Sequence, residues 1–137
     1  MGLLALLILT GGCNASSGGI VISDAWVRLA PPGHSVTAAY MTIENNSATD
    51  DVLISIEVNF AQVTELHESR EESGMAQMMH LQQLGVRAGA RLELKPGGAH
   101  IMLIDLTREL EQGDEVTLTL NFEKAGPMEI RARVRES

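Results

Sequence analysis

The chain has 137 residues and a mass of 14.8 kDa, the size of one domain rather than two. Hydrophobic residues make up 45% and charged residues 20%, a balance that can bury a core and argues against wholesale disorder. The formal net charge is −8 and aromatics are only 3%, which excludes a basic groove lined with stacking platforms; nucleic acid and anionic membrane surfaces are not expected partners. Seven Met stand against a single Cys. One Cys cannot form an internal disulfide, a zinc ribbon or a redox dithiol. It lies at Cys13, ahead of any foldable pattern, so soft-metal chemistry in the domain falls to thioether and imidazole.

Residues 2–9 form an apolar run too short to cross a bilayer, which takes about 20 residues. The run suits the hydrophobic part of a signal peptide, although the positively charged segment that usually precedes it is missing. Thr10-Gly11-Gly12-Cys13 resembles the lipobox of bacterial lipoproteins, in which the Cys becomes the lipidated N-terminus. Leu9 departs from that pattern by standing one place further back than the usual Leu. Residues 14–19, Asn-Ala-Ser-Ser-Gly-Gly, read as a flexible tether. Residues 1–19 are thus expected to serve export and anchoring, and residues 20–137 to form a single domain. The expected location is the periplasm, with membrane attachment only through Cys13.

From Ile20 onward the hydrophobic period is close to two, the mark of half-buried strands. Strands are predicted at 20–29, 36–44, 52–58, 62–67, 76–84, 91–94, 100–106, 115–122 and 128–135. The clearest is the alternation of Val116, Leu118, Leu120 and Phe122 with Thr117, Thr119 and Asn121. Turn chemistry separates the runs, as in Pro31-Pro32-Gly33, Lys95-Pro96-Gly97-Gly98, Gln112-Gly113-Asp114 and Ala125-Gly126-Pro127. No stretch keeps a helical period beyond about two turns. Many short strands at this spacing predict an all-β sandwich or Greek-key barrel.

Potential soft-metal ligands concentrate in three segments: 65–69 around His67, 74–80 with Met75, Met78, Met79 and His80, and 96–103 with His100 and Met102. On a strand His100 and Met102 share one face, while Ile101 and Leu103 fill the core from the other. Thioether sulfur prefers Cu(I), and imidazole tolerates it well. Singly, each residue has a plainer reading, since a lone Met in a strand is usually core filler and a lone His usually a solvated polar group. His80 shares strand parity with Met78 and is read as exposed, or as an auxiliary or Cu(II) ligand. His34 is read as a solvated loop residue, Met41 as core and Trp26 as packing. Glu68, Glu71 and Glu72 are read as an acidic loop beside His67.

Taken together, His67, Met78, His100 and Met102 are spaced H-x10-M-x21-H-x-M. This spacing resembles the motif of the PCuAC family of periplasmic copper chaperones. The similarity runs from Ile20 to Val134, through Ala25-Trp26-Val27-Arg28, Pro31-Pro32-Gly33, residues 38–43, the block 93–103 and residues 118–126. It implies a cupredoxin-like Greek-key fold, a monomer, and one Cu(I) per domain held by His67, Met78, His100 and Met102. It also implies delivery toward the binuclear copper site of cytochrome c oxidase, either directly to subunit II or with a thiol-bearing copper assembly factor. A copper buffer without a dedicated recipient is the alternative, and an interaction module with incidental His and Met is the third reading. Two departures stand out. Family members often carry a Met shortly after the first His, where this chain has Glu68, Ser69 and Arg70. The Gly-Val-Met common before the second ligand reads Gly74-Met75-Ala76, leaving Met75 or Met79 as candidate auxiliary sulfurs.

Absent parts narrow the chemistry. A blue-copper site needs a Cys thiolate, catalytic zinc does not favour two thioethers, and neither a phosphate-binding loop nor a Ser nucleophile elbow is present. No enzymatic activity is expected.

Overall fold

Val116, Leu118, Leu120 and Phe122 are buried, while the Thr and Asn residues between them are only half-buried, so the period of two in the sequence becomes a two-faced strand. The same logic builds the rest of the domain. The computed structural model describes residues 19–136; the apolar run, Cys13 and most of the tether lie outside the described residues. The strands are β1 (Ile20–Arg28), β2 (Val36–Asn45), β3 (Asp51–Val58), β4 (Ala61–Glu72), β5 (Met75–Leu81), β6 (Leu84–Val86), β7 (Arg91–Leu94), β8 (Ala99–Leu106), β9 (Glu115–Phe122) and β10 (Gly126–Arg135). Among the described residues there is no helix.

The strands join in one sheet of order β5-β4-β8-β2-β1-β10-β9-β3-β6, in which β1 and β10 pair in parallel and the other neighbours are antiparallel. The sheet branches at β2, which pairs β8 through residues 36–39 and β7 through residues 41–44. Its inner face closes on one core containing Val27, Ile43, Leu53, Phe60, Ile101, Leu103, Leu118 and Val134. Phe60 contributes from the short link between β3 and β4, with no exposed surface. The fold is cupredoxin-like, as the sequence reading expects.

Two boundaries differ from the sequence reading by more than two residues. The predicted run 76–84 is divided: β5 ends at Leu81, and Leu84 starts β6 on the opposite edge of the sheet, against β3. The first strand of the His67 segment continues to Glu72, so Glu68, Glu71 and Glu72 lie on a strand rather than in a loop. The cause is the turn at Ser73-Gly74. Both residues have positive φ, 54° and 78°, the geometry of a two-residue type I′ hairpin that carries pairing up to Glu72 and Met75.

Asp51 ties β3 to the β9–β10 turn. Its carboxylate accepts hydrogen bonds from the backbone N–H groups of Val52, Lys124 and Ala125, at 2.8, 2.9 and 2.9 Å. Burial pushes the carboxyl up, but the three donors and the Lys124 charge outweigh it and hold the group below its ordinary value. Because the native value is depressed, the stability that Asp51 adds is fully present above the unfolded-chain value of 3.8 and lost as pH falls through the native one. Asp51→Ala strands three part-buried donors and is expected to cost about 3 kcal/mol, lowering the thermal midpoint by roughly 10 °C at neutral pH. Calorimetry at pH 7 and again below pH 3 checks this, and the gap between wild type and variant should shrink in acid.

Candidate metal centre

β4 lies between β5 and β8, and its register sets the site. His67 is directly opposite His80 on β5 and His100 on β8. Paired residues share a face, so three imidazoles form a row across three strands, with ring centroids 5.4 Å apart for His67–His80 and 5.9 Å for His67–His100. Met102 follows His100 by two and pairs Glu65 on one side and Ala38 on the other. Met78 precedes His80 by two and pairs Ser69. The outer face of the β5-β4-β8 segment thus carries His67, Met78, His100 and Met102 together, with Glu65 and His80 among them.

Burial is uneven. His100 is 4% exposed, whereas Met78 is 59% exposed. The His100 ring lies 6.4 Å from the Tyr40 ring, Tyr40 stacks on Trp26 at 4.6 Å, and the Arg28 and Arg135 guanidinium groups cap Tyr40 and Trp26. Trp26 therefore packs, as expected from the sequence, and it does so as part of the wall behind His100. Burial raises the Tyr40 phenol above its ordinary value, against the opposing Arg28 charge, so it stays neutral there.

His67 and His100 each have one ring nitrogen tied down. His100 Nδ1 lies 2.9 Å from the Gly98 carbonyl oxygen, which can only accept, so Nδ1 carries the proton and Nε2 keeps its lone pair. His67 Nε2 lies 2.7 Å from Glu65 Oε2. The hydrogen bond from His67, working against burial, holds the Glu65 carboxyl below its ordinary value, with the His80 and His67 charges adding to it. An ionised Glu65 can only accept, so in the neutral form of His67 the proton sits on Nε2 and Nδ1 is left as an acceptor. That Nδ1 is buried and has no hydrogen-bond partner. Buried polar atoms are nearly always paired, so an orphaned imidazole nitrogen on a sheet face that also carries two thioethers fits a metal ligand before it is bound. No group of three His, Cys, Asp or Glu is set for a metal among the described residues. The donors that this face does bring together, two imidazoles and two thioethers, suit a soft ion.

The remaining candidates separate clearly. Met75 and Met79 lie on the other face of β5 from Met78 and are exposed, so neither replaces the sulfur missing after His67. Met41 is core. His34, at the β1–β2 turn, lines a cavity of about 540 Å³ with residues 106–112, beyond the far end of β8 from His100. Glu65 and the Gly98 carbonyl were not predicted. Glu65 was legible in principle, because it shares strand parity with His67.

A cupredoxin-like domain that displays two imidazoles and two thioethers on one sheet face belongs to a recognisable class of small β-proteins. The chain belongs to the LpqE-like family, described as "Putative lipoprotein LpqE-like", whose family model matches residues 20–134. It is 32% identical over 120 residues to the "Putative lipoprotein Lxx21020" of Leifsonia xyli, covering 86% of this chain and 70% of that protein. Among solved structures, the copper-bound PCuAC domain from PmoF2 matches with a TM-score of 0.76 and 26% identity, over 88% of this chain and 95% of that one. The solution structure of CuI-DR1885 from Deinococcus radiodurans matches with a TM-score of 0.71 and 32% identity, over 85% and 78%.

Nitrogen-15 spectra of the metal-free protein should show the Nε2–H tautomer at His67 and the Nδ1–H tautomer at His100. In Glu65→Ala the His67 preference should collapse while that of His100 persists. An unchanged His67 tautomer would show that Glu65 does not fix it.

Proposed function

We propose that the protein is an exported Cu(I) carrier that binds one ion through His67, Met78, His100 and Met102. The observation that carries this reading is the orphaned Nδ1 of His67 on the same face as two thioethers and the His100 ring. The likeness to a copper-bound PCuAC domain and to CuI-DR1885 supports it, as does the shared spacing.

The donor set explains carriage better than catalysis. Four neutral ligands leave the ion its single positive charge, and thioether and imidazole need no thiolate to hold it. His100 anchors the ion from the buried side. Met78, on the exposed edge strand, is the ligand that an incoming group can displace first. Stepwise ligand exchange then moves copper without releasing it to water. The recipient we propose is the binuclear copper site of cytochrome c oxidase, reached directly or through a thiol-bearing assembly partner. The lipoprotein descriptions of the family and of the Leifsonia protein support anchoring through Cys13 in the periplasm.

In a competition titration with a chromogenic Cu(I) chelator, without oxygen, the protein should retain one equivalent. Met78→Leu and Met102→Leu should each weaken retention by an order of magnitude or more. Unchanged affinity in both variants would overturn the ligand set. Transfer to the apo copper-binding domain of oxidase subunit II then separates a carrier from a buffer with no recipient.

A further inference from the structure

The two ends of the sheet are finished differently. β6 closes one end with three residues, and β7, which pairs only with β2, is four residues long and carries Arg91 and Glu93. β5 closes the other end with seven residues, Met75–Leu81, among which there is no Lys, Arg, Asp, Glu or Pro. Its pairing with β4 runs from Glu72–Met75 to Leu66–Leu81 without a bulge. Charge, proline, bulges and short length are the usual guards of a sheet edge, because a bare edge pairs readily with another strand. β5 has none of them, and its Met75, Met78 and Met79 are exposed.

The hairpin also fixes which backbone groups of β5 are free. In a two-residue hairpin the residues flanking the turn, Glu72 and Met75, form a hydrogen-bonded pair, and bonded and non-bonded pairs alternate from there. The non-bonded pairs are therefore Glu71–Ala76, Ser69–Met78 and His67–His80. Residues of such pairs turn their N–H and C=O away from each other. On β4 this sends the Ser69 N–H toward β8, where it donates to the Gly98 carbonyl oxygen at 3.2 Å. On β5 it sends the N–H and C=O of Ala76, Met78 and His80 outward, on the side where no strand of the described residues lies. Met78 is thus both the exposed thioether of the proposed copper site and the middle rung of an open ladder.

We propose that the β5 edge docks the copper recipient by strand addition, pairing with an extended, basic segment that carries a thioether or imidazole opposite Met78. Charge selects this occupant. The chain carries a net charge of −8, and Glu71 and Glu72, beside the hairpin tip, are exposed and make no ion pair among the described residues. A second copy would bring like charge against like, whereas a basic strand is attracted. The Met side chains adapt to varied partner surfaces. An incoming residue paired with Met78 would bring its Cβ within about 5 Å of the Met78 Cβ on the outer face. Its neutral donor can then form a bond to Cu(I) as the bond from Met78 sulfur breaks, with no change of valence and no proton moved. The inference deepens the Cu(I) reading and rests on it for the identity of the cargo.

The test uses the metal-free protein and, as probe, a synthetic octapeptide alternating lysine and threonine around a central methionine. Amide hydrogen exchange should slow at Ala76, Met78 and His80, while Gln77 and Met79, already bonded to β4, stay unchanged. Ala76→Pro removes an outward donor and no bond to β4. It should weaken the peptide at least tenfold and leave Cu(I) retention as in the wild type. Glu71→Gln/Glu72→Gln should weaken it too and flatten its salt dependence, and a peptide with glutamate for lysine should not bind. On the Cu(I)-loaded protein the peptide should speed copper loss to a chelator, whereas a version with leucine for methionine should dock without doing so. Protection that misses the alternate amides of β5, or full peptide affinity in Ala76→Pro, would overturn the docking edge. The same protection rising with protein concentration alone would assign the edge to a second copy instead. Equal copper loss with both peptides would remove the exchange role. Because docking is read without metal, failure to hold Cu(I) would strike the carrier reading separately.

Discussion

A slip of β4 by one residue against either neighbour would turn His67 from the outer face into the core and bring Leu66 out in its place. Side chains on a strand alternate strictly, so register decides whether a site exists at all. Three features hold that register. Leu66, buried opposite Ile101 and against Leu81, anchors the inner side. The two-residue turn at Ser73-Gly74 fixes β5 against β4 from the tip. At the other flank, the Ser69 N–H donates to the Gly98 carbonyl oxygen, the same oxygen that receives the His100 Nδ1 proton. One carbonyl thus sets both the strand alignment and a histidine tautomer.

The two faces of the sheet divide the work. The inner face is a largely aliphatic core that also buries Phe60, and its burial offsets the cost of ordering the strands. The outer face is thereby free to hold groups that contribute little to stability. It grades from buried Tyr40 and His100, backed by the half-buried Trp26, to the exposed thioether of Met78. The proposed cargo site would benefit from this gradient, because an ion held wholly inside could not be handed on and one held wholly at the surface would be lost to water.

Much of this was legible in the sequence. The alternation of Val116 to Phe122 and the Gly- and Pro-bearing turns mark an all-β fold, and the spacing of His67, Met78, His100 and Met102 marks the site face. The two long-range register pairings were not legible, because periodicity says which way a side chain points but not which strand lies beside it. For that reason His80 looked like a bystander two residues from Met78, although it is the direct partner of His67. Glu68, Glu71 and Glu72 read as a loop because charge is common in loops, whereas the Ser73-Gly74 turn carries the strand past them. Glu65 was missed because a carboxylate two residues before a histidine acquires meaning only when strand parity and the tautomer are considered together.

X-ray absorption at the copper edge of the Cu(I)-loaded protein tests the proposed centre most directly. A first shell of imidazole nitrogen and thioether sulfur in equal numbers is the expected result. A shell of nitrogen and oxygen alone would contradict it, since the soft donors on the outer face would then be ordinary surface methionines.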